Sequence, residues 1–65
     1  MTITLNGEPR EVPDGTTVAQ AVAEVTSQAT GLAAAVNGEV VPKTAWSRPL
    51  ADTDRVEVVT AVQGG

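Results

Sequence analysis

Few residues of this 65-residue chain could perform chemistry, and the most suggestive pair, Gly64-Gly65, closes the sequence. The chain contains no His and no Cys, so it lacks the usual general base near neutral pH, the commonest metal ligand and any thiolate metal site. Glycine has no Cβ, so a Gly-Gly segment can thread a narrow channel in which any side chain would clash. A partner enzyme could then activate the Gly65 carboxylate as an acyl-adenylate. A frayed end is the alternative interpretation, and composition alone favours it.

The remaining candidates have simpler structural explanations. Asp52 and Asp54 lie two residues apart and could support acid–base chemistry or bind a divalent cation. Because no further ligands lie nearby in sequence, we predict a solvated turn whose carboxylates cap backbone N–H groups. Lys43, the single lysine, is expected on the surface, and Trp46 is expected to anchor its segment to the core. No glycine belongs to a nucleotide-binding pattern.

Length and charge narrow the class of protein. A chain of this length suffices for one small core, so residues 1–65 are predicted to be a single domain, with residues 63–65 as a flexible tail. The net charge is −4 and the four cationic residues are scattered, which argues against nucleic acid and favours a protein partner with a basic surface. No stretch has the roughly 20 apolar residues of a membrane span and no signal peptide is recognised. We therefore expect a cytoplasmic protein that is monomeric when free.

Two Asn-Gly pairs, at residues 6–7 and 37–38, are the strongest hairpin signals in the chain. Polar and apolar residues alternate in the segments beside them, as in half-buried strands. The four strands predicted in this way comprise residues 2–5, 8–12, 32–36 and 39–41. The side chains expected to point towards the core are Ile3, Leu5, Val12, Leu32, Ala34 and Val36.

A single helix is predicted between the two hairpins, over about residues 17–27. Thr17 and Gln20 have the spacing of a capping box, in which each side chain binds the other residue's backbone N–H. Apolar residues then recur at positions i, i+3, i+4 and i+7, which forms one apolar stripe. The stripe consists of Val18, Ala21, Val22 and Val25.

The final strand, residues 55–62, is Val-rich and the most strand-like segment of the chain. Residues 43–54 form a connection before it, and we expect Trp46 and Leu50 to hold that connection against the core. The simplest closure places the final strand beside the first, in the middle of the sheet, with the helix covering one face. This order predicts an α+β fold of the ubiquitin-like β-grasp type, with a mixed sheet of about five strands.

The final strand is predicted to have one face towards the helix, formed by Val56, Val58, Thr60 and Val62. Its other face is expected to carry Glu57, Val59 and Ala61. The small residues expected beside this second face are Thr2, Thr4, Ala33 and Ala35. Such a smooth surface, leading to the Gly-Gly tail, is predicted to be a protein interface.

The sequence resembles the ThiS family of sulfur carriers over essentially its whole length. Trp46 and three segments carry the resemblance, namely residues 35–42, 50–58 and 59–65. The opening hairpin and residues 14–18 are similar too. One departure lies at Thr53, where the family commonly has Gly, and it concerns only the geometry of that turn.

The resemblance implies a carrier rather than an enzyme, with no cofactor bound to the chain itself. In this family a ThiF-like adenylyltransferase uses ATP and Mg²⁺ to activate the C-terminal glycine, and sulfur derived from a cysteine desulfurase converts it into a thiocarboxylate. A ThiG-like thiazole synthase then takes the sulfur for the thiazole ring of thiamin. Carried onto this sequence, Gly65 bears the adenylate and then the thiocarboxylate, and Gln63 and Gly64 form its flexible tail.

Three alternatives stay open at this point. A MoaD-like carrier for molybdopterin synthesis shares the fold and the Gly-Gly end but is usually longer. A ubiquitin-like modifier would form amides with lysines. A plain interaction module would keep its function without the last glycine.

Overall fold

The final strand of the chain forms the middle of a five-stranded sheet in a computed structural model that describes residues 1–26 and 31–60. The strands are β1 (Thr2–Leu5), β2 (Glu8–Glu11), β3 (Leu32–Val36), β4 (Glu39–Val41) and β5 (Arg55–Thr60). One α-helix, α1 (Val18–Val25), lies between β2 and β3 in the chain. A short 3-10 turn, Lys43–Ala45, follows β4. Residues 61–62 of the predicted final strand lie outside the described residues.

The sheet order is β2-β1-β5-β3-β4, which confirms the predicted insertion of the last strand beside the first. Strand β5 runs parallel to β1 and antiparallel to β3, while each hairpin pairs antiparallel strands. Helix α1 packs on one face of this mixed sheet and contacts β5. The arrangement is the predicted α+β β-grasp fold, with the helix and the sheet as its two layers.

Both Asn-Gly pairs form the tight hairpin turns predicted for them. Asn6 and Gly7 have φ of +50° and +83°, and Asn37 and Gly38 have φ of +52° and +87°. Positive φ at both central residues defines a type I′ turn, whose twist matches that of the flanking strands. Asn and Gly adopt this conformation at low cost, which explains their presence at these positions.

Helix α1 begins with the predicted capping box. The Thr17 hydroxyl accepts from the Gln20 N–H (3.2 Å), and the Gln20 side-chain oxygen accepts from the Thr17 N–H (2.9 Å). The first three residues of the apolar stripe are buried, but its fourth residue, Val25, is 41% exposed. The helix ends at Val25, earlier than predicted, and Thr26 is already extended, so this last position lies at the rim of the helix–sheet interface. No helix of the described residues is long and apolar enough to cross a membrane.

The core lies between the sheet and α1 and is built from aliphatic side chains and one tryptophan. Its buried members are Ile3, Leu5, Val18, Ala21, Val22, Ala34, Val36, Val41, Trp46, Leu50, Val56 and Val58. Val12 and Leu32 pack against it while partly exposed, which confirms their predicted direction. Strand β2 itself ends at Glu11, one residue earlier than expected.

The connection over residues 43–54 is anchored as predicted. Trp46 and Leu50 are both buried, and the Trp46 indole Nε1 donates to the carbonyl of Val41 (2.9 Å). Lys43 is exposed, as expected, with its ammonium 5.8 Å from the centre of the indole ring. Burial of the tryptophan with its N–H satisfied therefore holds the connection against the core.

The same connection also completes the first turn of α1. The Val18 N–H donates to the Arg48 carbonyl (3.1 Å), and the Ala19 N–H donates to the Trp46 carbonyl (2.9 Å). The first amides of a helix have no partner within it, so these carbonyls satisfy groups that would otherwise need water. The long connection and the helix thus stabilise each other.

Candidate functional site

The predicted reactive end of the chain comes after β5 in the sequence, with three residues between Thr60 and the Gly-Gly pair. The predicted site residues outside the described part of the chain are Ala61, Gln63, Gly64 and Gly65. Glu57 and Val59 lie on β5, which ends at Thr60. The residues that follow Thr60 in the sequence can reach at most about 17 Å from it when fully extended. The structure therefore positions the strand that leads to the Gly-Gly end.

Strand β5 has partners of unequal length on its two sides. Along β3 the pairing covers residues 56–60 of β5. Along β1 it covers only Arg55 and Val56. Because β1 gives way to the hairpin turn at Asn6, no strand of the described residues pairs with β5 on that side beyond Val56.

Two asparagine side chains add hydrogen bonds at β5 and at the turn before it. Asn6 Oδ1 accepts from the Val58 N–H (2.7 Å), and Asn6 Nδ2 donates to the Val58 carbonyl (3.2 Å). Asn37 Oδ1 accepts from the Arg55 N–H (2.9 Å), and Asn37 Nδ2 donates to Asp54 Oδ1 (2.9 Å). Sequence alone predicts only turn positions for these asparagines, because each contact joins segments that are far apart in the chain.

The two faces of β5 differ as predicted. Val56 and Val58 are buried against the helix layer. Glu57 and Val59 are exposed, Val59 by 59%. Side chains of a strand alternate between the faces of a sheet, so the face opposite α1 is open at these positions.

An apolar area on this open face, which we call the Val59 patch, consists of Ala33, Ala35, Val40, Glu57 and Val59. In the sheet register Ala33 lies opposite Val59, and Ala35 lies opposite both Glu57 and Val40. Val40 is 75% exposed and was not among the predicted site residues, although its outward position on β4 follows from strand alternation. The small alanines leave a shallow depression of about 170 Å³ between the larger side chains.

Thr2 and Thr4 lie on the open face of the sheet, as expected, but away from the Val59 patch. Parallel pairing places Thr4 opposite Arg55, at the beginning of β5. Thr2 lies farther from the patch, where its hydroxyl donates to Glu11 Oε1 (2.8 Å). The register of two parallel strands is not encoded in either strand alone, so the alternation pattern could not reveal this offset. The open face is therefore polar near the start of β5 and apolar near its end.

The paired carboxylates cap backbone groups, as predicted. Asp52 Oδ1 accepts from the Thr2 N–H (2.9 Å), and Asp54 Oδ2 accepts from the Ala51 N–H (2.8 Å). The other oxygen of Asp54 accepts from Asn37. Within the described residues, no group of three or more His, Cys, Asp or Glu side chains could hold a metal ion. These hydrogen bonds give the two carboxylates a structural role, which accounts for their spacing.

Comparison with known proteins covers nearly the whole chain. The sequence profile of the ThiS family matches residues 3–65, which include the Gly-Gly end. The structure is similar to the crystal structure of thiamine biosynthesis protein ThiS from Geobacter metallireducens, with a TM-score of 0.82 and 29% sequence identity. That match covers 100% of both chains. No curated protein matches the sequence.

Proposed function

Because the chain belongs to the ThiS family, we propose that it is a sulfur carrier of thiamin biosynthesis whose reacting group is the carboxylate of Gly65. The observation that carries this proposal is the position of β5, the central strand of the sheet, which ends only three residues before the Gly-Gly pair. A strand in the middle of a sheet is the part of a small domain that moves least. The folded domain therefore holds the base of the reactive end in a fixed position.

The proposed chemistry takes place on partner enzymes. The Gly65 carboxylate attacks the α-phosphorus of ATP on a ThiF-like adenylyltransferase, and pyrophosphate leaves as the acyl-adenylate forms. A persulfide that carries sulfur from a cysteine desulfurase then attacks the acyl-adenylate, and AMP leaves as an acyl disulfide forms. A thiol cleaves the S–S bond of that acyl disulfide, which releases the thiocarboxylate and leaves the thiol sulfur in a new disulfide. A ThiG-like thiazole synthase takes the sulfur for ring assembly. In this scheme ATP and Mg²⁺ belong to the adenylyltransferase, and the carrier is a cytoplasmic monomer that passes between its partners.

The side chains of the domain support a carrier rather than an enzyme. The sequence contains no His and no Cys to act as base or nucleophile. The carboxylates of Asp52 and Asp54 are engaged by backbone and side-chain donors of neighbouring turns. The proposed role of Gly64 is steric, because a residue without a Cβ lets the carboxylate of Gly65 enter a narrow active site of a partner.

The proposed docking surface for the adenylyltransferase is the Val59 patch, extended by Ala61. Large aliphatic side chains that are exposed together are a feature of protein interfaces. Val40 and Val59 are exposed by 75% and 59%, and the two alanines between them allow a partner to approach closely. Glu57 adds a negative charge that a basic residue of the partner could pair with. The patch lies near the end of β5, so a partner docked there is within reach of the residues that follow this strand.

Intact mass spectrometry of the chain purified from cells that make thiamin tests this function. The expected result is a fraction whose mass has increased by the replacement of one oxygen with sulfur, located at the last residue by fragmentation. A variant lacking Gly65 serves as the control and should show neither the mass increase nor pyrophosphate release with the adenylyltransferase. Absence of the modified species from wild-type protein under thiamin starvation would contradict the proposal.

The same preparation separates the alternatives. Co-purification with the large subunit of molybdopterin synthase instead of thiazole synthase would indicate the other sulfur pathway. Covalent conjugates to lysines on denaturing gels would indicate a protein modifier. Full function of the variant without Gly65 would indicate a plain interaction module.

A further inference from the structure

The end of β5 nearest the reacting group is held on one side by a side chain instead of a strand. Past Val56, the strand partner β1 has ended, and the hairpin turn at Asn6 has begun. The carboxamide of Asn6 takes both backbone groups of Val58, with Val58 N to Asn6 Oδ1 at 2.7 Å and Asn6 Nδ2 to Val58 O at 3.2 Å. A carboxamide offers the same acceptor and donor as a peptide unit, so Asn6 extends the β1 ladder by one position.

The backbone groups of Val58 need this partner because of strand geometry. Successive residues of a strand direct their N–H and C=O groups to opposite edges, so those of Val58 point towards β1 and away from β3. Without Asn6 this edge would be open from Val58 onward in the described chain. At an unpaired strand end the amide hydrogens exchange readily with solvent and the strand frays easily. We call the two hydrogen bonds between the Asn6 side chain and Val58 the Asn6 clamp. They are the contacts that hold this side of β5 beyond Val56.

Asn6 is itself well placed to act as a clamp. Its own backbone N–H donates to the Val56 carbonyl (2.9 Å), so three hydrogen bonds join this one residue to β5. Its φ of +50° and the following Gly7 hold it in the tight turn. The side chain is therefore presented to Val58 by a rigid backbone.

We propose that Asn6 is a positioning residue that fixes the C-terminal end of β5. It thereby fixes the point from which the Gly-Gly segment reaches a partner's active site. The effect of Asn6 on the reaction with a partner rests on the proposed function, but the contact between Asn6 and Val58 can be tested without any partner. Each residue that detaches from the end of β5 lengthens the free segment before the reacting group by about 3.3 Å, so that group samples a larger volume. Ordering it again on the partner costs part of the binding free energy.

Asn37 is a matched control within the same chain. It is also the first residue of an Asn-Gly type I′ turn, with φ of +52°, and its side chain also makes two hydrogen bonds, to the Arg55 N–H and to Asp54. These contacts lie at the start of β5, away from the reacting end. Gly tolerates positive φ, so Asn6→Gly and Asn37→Gly each remove the carboxamide without straining the turn.

Amide hydrogen exchange of the free protein, followed by NMR, tests the clamp directly. In Asn6→Gly the exchange of the Val58 amide should accelerate by about tenfold relative to that of Ile3 in the same sample. In Asn37→Gly the corresponding acceleration should appear at Arg55 and leave Val58 unchanged. Equal protection of Val58 in wild type and Asn6→Gly would overturn the proposal. If Asn6→Gly does not fold, Asn6→Asp keeps the acceptor and removes the donor, and it should show a smaller acceleration.

Pyrophosphate release with the purified adenylyltransferase tests the consequence. Asn6→Gly should lower kcat/KM by about tenfold, mainly by raising KM, because the loosened C-terminal end of β5 must be ordered when the partner binds. Asn37→Gly should stay within about twofold of wild type. Equal losses in the two variants would reduce Asn6 to a structural residue and overturn the positioning role. Failure of wild-type chain to be adenylated would refute the proposed function instead, and hydrogen exchange alone would then decide whether Asn6 fixes the strand end.

Discussion

The backbone N–H of Thr53 donates to the carbonyl of Thr2 (2.8 Å) while Thr53 itself has φ of +70°. The hydrogen bond ties the turn before β5 to the beginning of β1, and in that turn Thr53 lies in the left-handed region. A β-branched residue pays a steric penalty there that glycine avoids. Thr53 is therefore conformationally strained in the turn that makes this hydrogen bond.

Replacement of this threonine should stabilise the protein. We expect Thr53→Gly to raise the free energy of unfolding by about 0.5–1 kcal/mol, since the relief of steric strain exceeds the added freedom of the unfolded chain. Urea denaturation followed by circular dichroism measures the change.

Gly38→Ala provides the opposite control for that measurement. Gly38 has φ of +87°, and a Cβ added there would meet nothing within 4 Å, so any loss reports backbone conformation alone. A loss of about 1–2 kcal/mol is expected. A neutral or destabilising Thr53→Gly beside a destabilising Gly38→Ala would refute the strain explanation.

The indole of Trp46 should contribute through its hydrogen bond as well as its bulk. Trp46→Phe removes the donor to the Val41 carbonyl and should cost about 1–2 kcal/mol. Trp46→Ala should cost about 3–5 kcal/mol, which approaches the whole stability of a domain of this size. Denaturation by urea, monitored by far-ultraviolet circular dichroism, compares the two. A neutral Trp46→Phe would show that the hydrogen bond does not stabilise the connection.

The capping box of α1 should stabilise the helix by a measurable amount. Thr17→Ala removes the acceptor for the Gln20 N–H and should cost about 1 kcal/mol. Thr44→Ala, at an exposed position of the 3-10 turn, is the control and should change stability by less than about 0.5 kcal/mol. Equal melting curves for the two variants would contradict a role for the cap.

The Val59 patch should matter for binding more than for folding. Val59→Glu places a charge on the exposed face and should weaken binding to the adenylyltransferase by about tenfold or more. Ala23→Glu adds the same charge to the exposed side of α1 and should leave binding unchanged. Titration calorimetry gives the affinities, and circular dichroism checks that both variants fold. Unchanged affinity and adenylation kinetics for Val59→Glu would rule out the patch as the docking surface.

The elements that could be predicted from the sequence are those that depend on neighbouring residues. The two Asn-Gly turns follow from the need for positive φ at both central positions. The Thr17–Gln20 capping box and the alternation of Val56, Glu57, Val58 and Val59 follow from spacing alone. Local rules were less reliable at the ends of elements, because α1 stops at Val25, where its apolar stripe meets the rim of the core.

Tertiary structure decided every relationship that joins distant parts of the chain. The parallel register that separates Thr4 from the Val59 patch and the Asn6 carboxamide on Val58 depend on how β5 inserts beside β1. The carbonyls that satisfy the first amides of α1 come from a connection that follows the helix by more than twenty residues. The sequence by itself therefore determined the fold class, the turns and the identity of the terminal glycines. Only the folded chain determined how the strand before them is held, because register arises from the simultaneous packing of all the strands and not from any one of them.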